Sequence, residues 1–421
     1  MPYLLLMIGC FLLGCRRSAG DAPVVLTLPS SAVGLEAELL AAQLERFEAT
    51  HPGIRVVRQV TPDAADQRHQ MYVQWLNANA GDPDILQLDV VWTPEFAAAG
   101  WLLPLDRFRP ERGAFFPVTI EANTWNGELF ALPWFVDVGM LYWRTDLLAR
   151  PPDTFAELDS MARFGMREGG LPYGLVWQGA RYEGLVTVFL EYLGAFGGRI
   201  LESDGSVAID SEAGLRALVA MVEASSPSGI VPRAALAWQE EPVRFAFQTG
   251  QAVFMRNWPY ASPLLQESGS AVAGRFAVAS MPRGNGGSST ATLGGSQLAI
   301  NARTEHPAEA YALIEYLTQP EQMLERARVA GQYPARLALY RGALNRALAI
   351  PSDAALQVIE RATTRPVTPV YTELSGILQV HLHRALSGQQ APRAAVAGAA
   401  TEIRALLRRT GVGSVGADVR R

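Results

Sequence analysis

The feature that most narrows the fold is the order of secondary-structure signals between residues 24 and 91. VVLTL at 24–28 is rich in β-branched residues and reads as a strand. Residues 34–49 place Leu35, Leu39, Leu40, Leu44 and Phe47 near helical spacing. HPGIRVVRQV follows as a turn and a second strand, and a second helix is predicted over 65–79. DPDILQLDVV is then an almost wholly apolar strand, of the kind buried on both faces. Strand and helix alternating in this way predict parallel βαβ units and an α/β fold.

Beyond that block, ELFALPWFVDVGMLYWRTDLL at 128–148 is too long an extended stretch for one compact βαβ unit. It reads as a crossing into a second lobe. Helices are predicted over 153–168, 181–195, 211–224 and 240–250, with DGSVAID as a hairpin-like turn and strand. QAVFMRNWPY reads as a strand running into a loop, RGNGGSS at 283–289 as a flexible loop, and TLGGSQLAI at 292–300 as a second extended stretch. Pro307 and Pro320 open helices over 306–318 and 320–330. The remainder reads as helical to about residue 409.

The length of 421 residues suggests two or three domains at ~100–200 residues each. A hydrophobic share of 49% with 18% charged residues fits a packed globular chain, and a net charge of −5 argues against a nucleic-acid partner. Lysine is absent, which excludes Schiff-base and P-loop lysine chemistry. The two cysteines, Cys10 and Cys15, both lie in the apolar leader MPYLLLMIGCFLLGC. That leader is shorter than a membrane span, and no basic residue precedes its apolar run. Leu12, Leu13, Gly14 and Cys15 resemble the lipobox of bacterial lipoproteins. The resemblance implies a signal peptide over 1–15, lipid attachment at Cys15, a tether over 16–23 and an exported, membrane-anchored protein. An ordinary buried helix or an uncleaved anchor is the alternative.

HPGIRV, GDPDILQLD, GELFALPWFVDVGMLYWRTDLL, FQTGQAVFMRNWPYA, LGGSQLAINARTEHPAEAYALIEYL and the closing TPVYTEL…HRALSG, in this order, carry a wider resemblance. Together they resemble the extracellular solute-binding proteins of ABC sugar importers, and look most like the maltose/trehalose-binding branch. That resemblance implies the two-lobed periplasmic-binding-protein fold, with interlobe crossings near 133–139, 291–297 and 332–341. The first lobe would comprise 24–136 and 293–335, the second 137–292 and 336–409, with a flexible tail over 410–421. The ligand would sit between the lobes at the carboxyl ends of strands. An ABC permease would be the partner of a monomeric receptor.

A sugar offers hydroxyls and apolar C–H faces, so a site for it needs carboxylates, amides and aromatic rings. Asp89 ends the apolar strand ILQL, where its carboxylate emerges; the alternative is a cap on a helix starting near Thr93. Trp92 beside it is equally suited to core packing. Glu36 follows the first strand's loop, where it could bind a hydroxyl or favour a helix N-terminus. Asp137 lies within an apolar run and needs a partner, a ligand hydroxyl or an arginine. Tyr182 and Glu183 would come from the second lobe, and Trp258 and Tyr260 flank the stiffening Pro259. Gly294 and Gly295 permit close backbone approach or hinge bending. Ser296 stands where relatives in the branch carry tryptophan. Arg336 offers a planar fork for two hydroxyls or for an acid such as Asp89, with an interlobe salt bridge as the alternative.

Metal, dinucleotide and nucleophile motifs are absent. His381 and His383 fall on different faces of a helix, there is no HExxH or GxSxG, and no GxGxxG opens a helix after a strand. No cofactor is expected. The reading is a non-catalytic receptor that closes on a disaccharide such as trehalose. A receptor for another sugar or polyol and a lipid-anchored glycosidase using two cleft acids are the alternatives.

Overall fold

The computed structural model describes residues 22–411, apart from 33, 343 and 345–347. The leader with Cys15, most of the tether and the tail from 412 onward lie outside the described residues.

The first βα repeat forms as its periodicity predicts. Val24–Ser30 and Ile54–Val60 pair in parallel, Val24 opposite Ile54, and the helix Glu36–Thr50 crosses between them. Its stripe of Leu39, Leu40, Leu44 and Phe47 is buried. The second helix spans Ala65–Asn77, and the apolar strand Ile85–Asp89 follows. That strand belongs to a separate four-stranded sheet, which is antiparallel. The strand order is Tyr333–Pro334, Ala131–Val138, Leu293–Ile300, Ile85–Asp89, and every pairing in it is antiparallel. Within 24–91 the parallel expectation therefore holds only for the first pair, because Ile85–Asp89 pairs instead with Leu293–Ile300, which returns from the far lobe; in the second sheet Tyr173–Val176 and Ala252–Asn257 also pair in parallel.

A second four-stranded sheet runs Phe276–Ser280, Met140–Arg144, Ala252–Asn257, Tyr173–Val176. The helix Glu183–Ala195 is buried almost all round, packed on Glu212–Ala224 and Tyr371–Leu386. Such all-round burial matches its nearly uniform apolar sequence.

The long stretch at 128–148 joins the two sheets. Ala131–Val138 belongs to the first and Met140–Arg144 to the second, with Gly139 between them. A Cβ at Gly139 would fall 1.7 Å from Glu191 Oε1, so only glycine lets the crossing pass the fully buried Glu191–Arg256 ion pair. The second crossing lies alongside: the Gly139 N–H donates to Thr292 O at 3.4 Å, and Thr292 Oγ1 donates to Thr187 O at 2.8 Å.

The third crossing is displaced from its expected place. Residues 332–341 stay with the first sheet, since Tyr333 and Pro334 pair with Val136 and Phe135, and Tyr340 packs edge-on against Phe116. The chain passes instead at Thr363, which bridges to Thr292 and exchanges backbone bonds with Ala291 and Leu293. The region after 336 is also less helical than expected. Ser352–Glu360, Tyr371–Leu386 and Pro392–Thr410 are helices, but 361–370 is irregular. The DGSVAID segment makes a tight turn with one antiparallel bridge, Leu201 to Val207, and no strand.

Candidate ligand-binding cleft

Between the lobes lies a cleft with about 830 Å³ of open space, part of it continuous with solvent. Its first wall is built on Gln87, the one polar residue inside the apolar strand. Its amide nitrogen donates to Glu36 Oε1 at 3.0 Å and to Ser296 Oγ at 3.1 Å, and its oxygen accepts from the Ser31 N–H at 2.9 Å. Ser31 Oγ donates to the other Glu36 oxygen at 2.5 Å. Glu36 is the first residue of its helix and buried, so this frame fixes a carboxylate at a helix N-terminus.

Asp89 ends the same strand, opposite Ser296 in register. It does not cap the next helix, whose N-cap is Trp92 with no side-chain bond. Trp92 is buried in the aromatic cluster with Tyr72 and Phe96. Asp137 lies on the last turn of strand before the crossing. Its Oδ1 is buried without a hydrogen-bond partner. Burial, then the nearby Glu36 and Asp89, push its carboxyl up to about 7.

Gly294 and Gly295 face these acids. A Cβ on Gly294 would meet the Trp258 ring at 3.3 Å and Asp137 Cβ at 3.4 Å, so the bare backbone lets the indole come close. Gly295 has φ +122°, and a Cβ there would lie 2.3 Å from Phe135 O. The Ser296 hydroxyl is held by Gln87 rather than offering a flat surface.

The opposite wall comes from three places in the second lobe. Trp258 follows the strand Ala252–Asn257. The Arg256 guanidinium lies 3.9 Å from its ring centroid, and its Nε1–H points at Glu240 Oε1, 3.5 Å away. Tyr260 donates to Glu241 at 2.8 Å and its ring reaches Gly34 of the first lobe. Tyr182 folds over Gly184, where a Cβ would fall 2.2 Å from its hydroxyl oxygen, and that hydroxyl is buried facing Glu240. Burial raises the carboxyl of Glu240 beside it.

Glu183 lines the cleft but is already occupied. Arg365 donates to it at 2.8 Å, Tyr371 at 2.7 Å, and Ser375 more closely still. Three protein donors leave its carboxylate about one acceptor position for a ligand, as Ser31, Gln87 and Arg326 do for Glu36.

Arg336 is the one expected site residue that the structure places elsewhere. It stays with the first sheet, donating to Thr318 O at 2.7 Å and to Glu111 at 3.4 Å and lying over Phe115. The acid-buttressing role falls to Arg365, in the irregular segment after Thr363. The other nine, Glu36, Asp89, Asp137, Tyr182, Glu183, Trp258, Tyr260, Gly294 and Gly295, line one cavity. Lining residues that sequence reading missed include Asp63, Arg68, Gln87, Thr187, Glu240, Gln332 and Arg365. Gln87 carried a signal, an amide inside an apolar strand; Arg365 carried none.

Six acids and two arginines line the cleft, so its field disfavours anionic ligands. Among the described residues, no group of three or more His, Cys, Asp or Glu is arranged to hold a metal, and no helix is long and apolar enough to cross a membrane. Buried acceptors on one wall face an indole on the other, an arrangement suited to a polyhydroxylated guest.

The sequence profile of bacterial extracellular solute-binding proteins matches residues 31–324. This chain belongs to that family. The solute-binding protein is 37% identical over 347 residues to a probable ABC transporter-binding protein of Deinococcus radiodurans, covering 79% of this chain and 81% of that one. The structure of maltose-bound MalE3 of T. maritima matches it with a TM-score of 0.88 and 41% identity, over 91% of this chain and 100% of that one. The GacH receptor of Streptomyces glaucescens, solved unliganded and with acarbose, shares the fold at a TM-score of 0.81 and 24% identity, over 92% and 99% of the two chains.

Proposed function

We propose that this solute-binding protein captures a neutral disaccharide, trehalose or a related glucoside such as maltose, and delivers it to an ABC permease. The observation that carries this reading is the meeting of Glu36, Asp89 and Asp137 with Trp258 in one cleft. The acids would accept from sugar hydroxyls and the indole would cover a C–H face. Tyr182 and Tyr260 complete the second wall, and closure would bring both walls onto one guest. The maltose bound to MalE3 of T. maritima supports the substrate class.

The lobes are taken as 24–138 with 293–360, and 140–292 with 364–410, divided at the three crossings. The leader supports anchoring through a lipid on Cys15. No reaction is assigned to the cleft acids.

Calorimetric titration with trehalose, maltose and sucrose tests the reading, together with thermal unfolding at rising sugar concentration. Binding stabilises by RT ln(1 + [L]/Kd), so the melting temperature should climb with ligand. Absence of heat and of any thermal shift with all three would sink it. Recovery of the disaccharide intact after incubation separates a receptor from a glycosidase. A second reading, another sugar or polyol, is favoured by Ser296, which gives a narrow hydroxyl in place of a stacking ring. Monosaccharides and polyols in the same titration decide between them.

A further inference from the structure

Arg326 lies behind the cleft wall on the helix Pro320–Ala330 and is fully buried. Its guanidinium sits 3.8 Å from the Trp134 ring centroid and 5.3 Å from that of Phe135. One arm donates to Gln43 Oε1 at 3.3 Å and the other to Glu36 Oε1 at 3.4 Å, while its Nε–H is left without a partner. Burying a guanidinium this deeply is unfavourable unless its charge is answered. Burial pulls its pKa down to about 10, and Glu36 and then Asp137 oppose that fall. A leucine or methionine would fill the space against Trp134 without the desolvation cost. The guanidinium therefore needs a reason beyond packing, and the acids it faces are the two at the floor of the cleft.

We infer that Arg326 is a positioning residue for ligand capture: clamped over Trp134, it supplies the counter-charge of Glu36 and fixes the direction in which that carboxylate meets a ligand hydroxyl. This rests on the proposed sugar-binding role of the cleft. Ser31 and Gln87 hold Glu36 from the cleft side, and neither brings a charge. Arg326 is the one described cation paired with Glu36, whereas Asp89 and Glu183 share Arg365. Without Arg326 the carboxylate would be held beside Asp137 by the neutral donors Ser31 and Gln87 alone, with no counter-charge.

The test is a double-mutant cycle on affinity for maltose and trehalose, using Arg326→Met, Glu36→Gln and the pair together. Arg326→Met should weaken binding about tenfold or more, the effect of disrupting a buried charge-assisted contact. In the Glu36→Gln background the same change should have little further effect, because distant independent sites add and coupled ones do not. Arg326→Lys keeps the charge and should recover part of the lost affinity. The double variant removes both charges and guards against a single variant that fails to fold. Arg326→Met at wild-type affinity, or equal losses in both backgrounds with no lysine rescue, overturns the inference and leaves only a packing role. Wild-type protein that binds neither sugar overturns the proposed function, and this inference with it.

Discussion

Arg365 reaches Asp89 across the boundary between the lobes, its Nη2 donating to Asp89 Oδ1 at 2.8 Å. Its other arm donates to Glu183 Oε1 at the same 2.8 Å, at the start of the second lobe's central helix. One buried guanidinium thus joins the end of a first-lobe strand to a second-lobe helix. Around it the seam carries further polar contacts. The Glu183 N–H donates to Asp66 at 3.2 Å, Gln379 donates to Asp66 at 3.0 Å, and Thr372 donates to Glu95 at 2.7 Å.

Removing one partner of such a buried pair typically costs about 3–5 kcal/mol. Arg365→Gln should therefore lower the melting temperature of the empty protein and weaken sugar binding. It should also shift the ligand-free population toward open lobes, seen as a larger radius of gyration in small-angle scattering. An unchanged radius would show that Arg365 does not contribute to closure.

Asp89→Ala leaves one arm of Arg365 without its acid. Apo stability and affinity should fall together, in contrast to a residue that only contacts ligand. Thermal unfolding of the empty variant checks this; an unchanged midpoint would mean that Asp89 serves the ligand alone.

Much of this site could be read in the sequence because strand ends are legible. The apolar run ILQL terminates in Asp89, and the Gly294–Gly295 pair sits where a side chain would collide with Phe135 O or crowd Trp258. What stayed hidden depends on long-range tertiary placement. Arg336 and Arg365 both lie in the last third of the chain, and nothing local distinguishes them. Which one meets Asp89 is decided by where the chain leaves the first lobe, at Thr363 rather than at 332–341. Glu183 was legible as a cleft residue, but the occupation of its carboxylate by Tyr371 and Ser375 comes from a helix almost 190 positions away. The partner of Ile85–Asp89 is hidden for the same reason: periodicity shows that a strand exists, but not which neighbour it finds.

Trp258→Ala separates ligand contact from packing. Its indole is partly exposed to the cleft, backed by Arg256 and Gly294. Loss of the ring should reduce affinity about tenfold to a hundredfold, from lost area and stacking. The apo midpoint should move much less than in Asp89→Ala. Calorimetry and thermal unfolding of the same preparation provide both numbers, and a large apo destabilisation with unchanged affinity would assign the ring to the core.

Asp137 makes stability depend on pH in a direction opposite to that of a salt-bridged acid. Its carboxyl is raised from 3.8 to about 7 in the folded protein, first by burial and then by Glu36 and Asp89. Between those values the folded state holds a proton that the unfolded chain has released, so stability falls as pH rises from about 4 to 7. The group has no effect below the lower value, and its full penalty is present above the upper one. At about 1.4 kcal/mol per pH unit, that penalty is on the order of a few kcal/mol. Asp137→Asn removes it. The variant should match the wild type in stability near pH 4 and exceed it at pH 8, while binding sugar more weakly. Melting curves of both proteins at the two pH values test the sign. A gap that instead widened on acidification would mean that Asp137 is paired and ionised in the folded state.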